Sequence, residues 1–152
     1  MIIGDWIENY KILQRMNGTV IFELHFSSNP ICKEVYLHLG TDITNNKEKR
    51  YYIRYFTFSM FEEDEIVELE IDQAIVQKIE EMLYDSKISI IPRQMSIGLD
   101  GYTYTIRVRN TFQKIEITWW CEPNEEWKPL GEIVDLIFGQ LPSNIREIRM
   151  QH

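Results

Sequence analysis

Residues 102–120 read Tyr-Thr-Tyr-Thr-Ile-Arg-Val-Arg-Asn-Thr-Phe-Gln-Lys-Ile-Glu-Ile-Thr-Trp-Trp, and this stretch decides the fold. Tyr102, Tyr104, Ile106 and Val108 alternate with Thr103, Thr105, Arg107 and Arg109. After a turn at Asn110, Ile115, Ile117 and Trp119 alternate with Lys114, Glu116 and Thr118. A period of two is the signature of strands with one apolar and one polar face, and a short turn between two such runs makes them an antiparallel hairpin. Trp119 and Trp120 point to opposite faces, so one enters the core and the other is a candidate for an exposed aromatic patch.

Upstream, the same period recurs. Val20, Phe22, Leu24 and Phe26 alternate with Ile21, Glu23 and His25, and Val35, Leu37 and Leu39 alternate with Glu34, Tyr36 and His38. Ser27-Ser28-Asn29-Pro30 between them has turn chemistry. Tyr51 to Phe61 is dense in strand formers. The polar segment 41–50 is expected to be a mobile loop. Two helices are expected: one over 73–84 with Asp72 as its cap, and one over 127–141 stopped by Pro142. Ile88 to Ile91 reads as a short strand closed by Pro92, residues 142–152 as a polar tail. Ile2 to Met16 has apolar residues at helical spacing, yet Asn17-Gly18 suits a hairpin turn as well as a helix stop; helix is favoured. The fold class is therefore α+β, a mainly antiparallel sheet with two or three helices packed on it in a single domain.

Charge narrows the function. The net charge is −8, and residues 61–81 hold nine acids and one base, so that window alone sums to −8. The remaining residues hold 15 bases and 15 acids. Such a field repels nucleic-acid phosphates and anionic membranes and attracts cationic surfaces. Glu62, Glu63, Asp64, Glu65, Glu68 and Glu70, with Trp120, are the candidate partner-binding residues. The competing reading is a solvated charged edge that prevents strand-to-strand aggregation. The run lacks the spacing and central glycine of a calcium loop.

No catalytic, cofactor-binding or metal-binding motif is present: no phosphate-cradling glycine loop, no HExxH, no nucleophile elbow and no paired cysteines. His25 and His38 fall on polar strand faces, where the ordinary reading is two solvent-facing residues. Cys121 lies between Trp120 and Glu122, and a neighbouring carboxylate disfavours a thiolate, so it reads as structural. Arg107 and Arg109 share a polar face on which Glu116 can neutralise one of them across the ladder. With no signal-peptide pattern and no spanning segment, Cys32 and Cys121 read as reduced thiols of a soluble cytoplasmic protein.

Gly98-Leu99-Asp100-Gly101-Tyr102-Thr103-Tyr104, the two alternating strands, Trp119-Trp120, and Glu126-Trp127-Lys128-Pro129-Leu130 opening a helix resemble the C-terminal half of small bacterial proteins. Those proteins are similar to the immunity proteins of polymorphic and contact-dependent toxin systems. The resemblance covers residues 95–141, and its motifs are structural: a turn at Asp100-Gly101, core anchors at Trp127 and Leu130. It implies a non-enzymatic protein that blocks a cognate, basic, nuclease-type toxin domain. An acidic surface filling a cleft built to hold phosphate would supply both steering and specificity. The alternatives are a small-molecule or peptide-binding module, or an enzyme with residues on scattered loops, marked by a pocket lined by Tyr51, Tyr55 and the tryptophans.

Overall fold

The alternating segments assemble into one six-stranded, wholly antiparallel sheet in the computed structural model, which describes residues 7–29, 33–60, 62–93 and 101–150. Strands β1 (Thr19–Asn29), β2 (Glu34–Ile43), β3 (Lys49–Phe58) and β4 (Val67–Glu70) form a meander in which each strand pairs with the one before it. Helix α2 (Gln73–Asp85) then carries the chain back across one face, and β5 (Gly101–Arg109) pairs on the other side of β1, with β6 (Lys114–Trp120) outermost. The spatial order is β4-β3-β2-β1-β5-β6. The fold is α+β, as the periodicity predicts.

One face carries Phe22, Leu24, Phe26, Val35, Leu37, Leu39, Ile53, Tyr104, Ile106 and Trp119. Against it pack Val76 and Ile79 of α2 and the stripe Leu130, Ile133, Val134 and Ile137 of α3 (Lys128–Phe138). Asp72 caps α2 as expected, its carboxylate accepting from the Ala74 N–H at 2.7 Å. Trp119 enters this core, and its neighbour Trp120 faces the other way.

The second face departs from expectation. His25 and His38 are each 2% exposed rather than solvent-facing. Helix α1 (Glu8–Arg15) lies over this face, and Ile7, Leu13, Tyr36, Phe56 and Phe58 form a second, smaller core. Alternation reports which side chains share a face; it does not report that a short helix covers the polar one. The helical reading of residues 2–16 holds over 8–15, and residues 2–6 lie outside the described residues. Gly18, at φ +124°, provides the left-handed turn from α1 into β1.

Segment 41–50 is not a loop. Thr41, Asp42 and Ile43 pair with Tyr51, Arg50 and Lys49, and an Asp42–Arg50 ion pair of 2.6 Å closes the ladder, leaving only a turn over 44–48. Thr41, Asp42, Lys49 and Arg50 belong to the ends of the two strands, and the polar residues between them form a tight turn. Residues 88–91 form no strand; Ile90 and Ile91 are exposed and unpaired in the sheet. The last long helix ends at Phe138 rather than Leu141. Pro142 does not open a tail: it precedes α4 (Ser143–Arg146) and a 3-10 turn over Glu147–Met150, whose Ile145 and Ile148 are buried in the main core. Two isoleucines three residues apart, in a stretch that reads as polar, are enough to dock it.

Candidate functional site

The acidic run occupies the β3–β4 connection and β4 itself, an element not foreseen in the sequence. Four residues of β4 pair with β3, Tyr52 to Tyr55 opposing Glu70 to Val67, so the run ends as a charged strand at the outer edge of the sheet. The six acidic candidates then fall into two groups.

Three of them hold the fold together. The Glu63 carboxylate reaches across to α1 and accepts from the backbone N–H groups of Glu8, at 2.9 Å, and Asn9, at 2.8 Å. It supplies from a distant segment the N-terminal cap that Ile7 cannot. Asp64 accepts from Lys33 Nζ at 2.6 Å and from the Thr57 hydroxyl, while its carbonyl accepts from Asn9 Nδ2. The Lys33 hydrogen bond, then that of Thr57, holds the Asp64 carboxyl below the usual carboxylate range. Glu68 bridges Arg50 and Arg54, each at 2.6 Å. Burial works against the Glu68 carboxylate, and the hydrogen bonds from Arg54 and Arg50 outweigh it, so its pKa also lies low.

The other three are free to act outward. Glu62, Glu65 and Glu70 are exposed and make no ion pair within 4 Å among the described residues. Glu62 and Glu65 stand on an open cleft of about 570 Å³ between the start of α1 and the β3–β4 connection, with Ser59 and the exposed Met60 on its wall. The cleft offers carboxylates around one apolar side chain, suited to the methylene stem and charged tip of a lysine or arginine. Among the described residues no group of three or more His, Cys, Asp or Glu side chains is placed to hold a metal ion. No helix among the described residues is long and apolar enough to cross a membrane.

Trp120 does not join this cleft. It lies on β6, at the opposite edge of the sheet, five strand spacings or about 24 Å from β4. Its ring packs half-buried over Gly101, where a Cβ would come within 2.8 Å of Trp120 Cζ2 and where φ is +143°. Trp127 anchors the third helix as expected, and also donates its indole N–H to the Ser89 carbonyl at 2.7 Å. Cys121 is a half-buried free thiol at φ +53°.

A second set of polar residues escapes notice in the sequence. Glu68, Arg54, His38, Glu23, Arg107 and Glu116 are direct cross-strand neighbours, one from each strand in the order β4 to β6. Glu23 is 3% exposed, with Arg107, Arg109 and His38 each 3.8 Å from its carboxylate. Arg107 meets Glu116 at 2.5 Å, the pairing anticipated from the ladder. The signal was available: a charged or imidazole residue recurs at one level of every strand. It becomes readable only when the strand order is known.

No protein-family model, curated protein or solved structure matches this chain.

Proposed function

We propose that this is a non-enzymatic binding protein of the cytoplasm, an immunity-type protein whose acidic rim occupies the basic active-site cleft of a cognate nuclease-type toxin domain. The observation that carries the reading is the cleft beside α1. Its outward carboxylates Glu62 and Glu65, with Glu70 on the neighbouring edge strand, make no ion pair within 4 Å among the described residues. Surface carboxylates without structural duty are a field for a cationic partner. The resemblance of residues 95–141 to immunity proteins supports the same reading.

The experiment neutralises the outward acids alone: Glu62→Gln, Glu65→Gln and Glu70→Gln together, sparing Glu63, Asp64 and Glu68, whose loss would loosen α1 and the β3–β4 pair. Folding should be unchanged. Association with its cognate toxin domain should slow about tenfold at low salt, with a flatter salt dependence. Equal association rates for both proteins, with equal protection of cells that express the toxin, would overturn the reading.

A second reading, small-molecule binding, draws on a different observation. A pocket of about 380 Å³ lies between the start of β5 and the C-terminal turns, lined by Tyr102, Tyr104, Phe138, Arg146 and Arg149 rather than by Tyr51, Tyr55 and the tryptophans.

A further inference from the structure

The two edges of the sheet differ. On one side β4 is four residues long and carries Glu68 and Glu70. On the other side β6 is seven residues long, has no proline, glycine or bulge, and pairs with β5 in unbroken register from Lys114 to Trp120. No described strand lies beyond it. Apolar side chains are exposed here: Ile115 is 58% accessible, and Phe112, at the tip of the β5–β6 hairpin, is 95% accessible.

The hydrogen-bond phase of β6 follows from its ends. Cys121 N–H donates to the Tyr102 carbonyl at 2.7 Å, and Asn110 N–H to the Gln113 carbonyl at 3.0 Å. In an antiparallel ladder bonded pairs alternate with non-bonded ones, so Ile115, Ile117 and Trp119 spend their backbone groups on β5. The N–H and C=O groups of Lys114, Glu116, Thr118 and Trp120 therefore point outward. They form an open template for one more strand.

We propose that the partner for this edge is a second copy of the chain, with the two β6 strands pairing antiparallel about Ile117 to make one continuous twelve-stranded sheet. Register selects this pairing. Centred on Ile117, Lys114 opposes Trp120, Glu116 opposes Thr118, and Ile115 opposes Trp119, so no charge lies directly opposite its like, each Glu116 stays paired with its own Arg107, and the apolar row continues across the junction. All four outward-facing residues find bonded partners, giving about eight new backbone hydrogen bonds. Centring on Glu116 sets two carboxylates face to face. Centring on Thr118 runs Ile115 onto Cys121, where φ is +53° and the strand has ended. Electrostatics also favours this edge for self-association: the acidic run lies about 24 Å away on the far edge, beyond the ~8–10 Å screening length of physiological salt.

Sedimentation of the whole chain at physiological salt, from about 1 to 100 µM, should show its mass rising from 18.3 kDa towards twice that value. Thr118→Pro removes an outward N–H that β5 does not use, and should hold the mass at the monomer with an unchanged circular dichroism spectrum. Register is read separately, in chains with Cys32 and Cys121 changed to Ser. Ile117→Cys should cross-link into a disulfide dimer on mild oxidation. Ile115→Cys should not, because its two copies would sit about 13 Å apart along the strands. A wild-type chain that stays monomeric throughout the range overturns the proposal, as does a dimer that cross-links through Ile115→Cys but not Ile117→Cys.

Discussion

His38 sits beneath α1 with its Nε2 3.0 Å from Tyr36 Oη and 3.3 Å from the side-chain amide of Gln14. Burial, then the positive charges of Arg54 and Arg109, push its pKa down from 6.5 to about 4. Glu23, 3.8 Å away, does not reverse that balance. The sign of the pH effect follows: between those values the unfolded chain binds a proton that the folded chain refuses. The stability owed to a neutral His38 is complete above about pH 6.5 and is lost as pH falls towards 4, by at most ~1.4 kcal/mol per unit. Urea titrations of wild type and His38→Gln at stepped pH should therefore show a steep loss of stability below pH 6.5 in wild type and a shallower one in the variant. Parallel profiles would assign the slope to other groups. Glycines nearby answer to the same close packing: the Tyr52 hydroxyl occupies the space where a side chain on Gly40 or Gly18 would begin.

Among the elements, α3 shows how a local motif can have a distant duty. Asn124 accepts from the Trp127 N–H at 3.0 Å and starts the turn, Pro129 stands in the first turn of the helix, and the Trp127 indole then ties down the Ser89 carbonyl 38 residues away. Trp127→Phe keeps most of the ring and removes that hydrogen bond. It should cost about 0.5–1.5 kcal/mol and raise amide exchange over residues 86–93, which have no ladder of their own. An unchanged exchange rate there would mean that the tie is incidental. Trp127 and the apolar stripe behind it were legible because helical and strand periods are written locally. The acidic β4 was not, since Glu-rich sequence is poor strand former, and what makes it a strand is pairing with Tyr52 to Tyr55. For the same reason Glu63 reads in the sequence as an outward acid: nothing within a few residues shows that it caps α1, 55 positions earlier.

Across the whole molecule, the row from Glu68 to Glu116 crosses all six strands and places an acid, a base, an imidazole, an acid, a base and an acid in that order. Arg54 and Arg107 are each 6% exposed, and charges so far from water persist only with partners. A slip of one residue in any strand would turn its member of the row into the apolar face, leaving a neighbour's charge unpaired. The row therefore ties register to strand order, and its central link, Glu23 with Arg107, should act cooperatively. Glu23→Gln alone leaves Arg107 and Arg109 facing a neutral amide, and should cost about 3 kcal/mol as for other broken buried pairs. Arg107→Gln alone leaves the buried Glu23 with Arg109 and His38, each 3.8 Å away, while the more exposed Glu116 keeps Lys114 at 3.8 Å. If the two charges serve each other, the double variant costs less than the sum, with a coupling of about 1–3 kcal/mol from a denaturation cycle. A coupling below ~0.3 kcal/mol, the level of independent sites, would show that each charge is held by its other neighbours and that register is set by the apolar face alone.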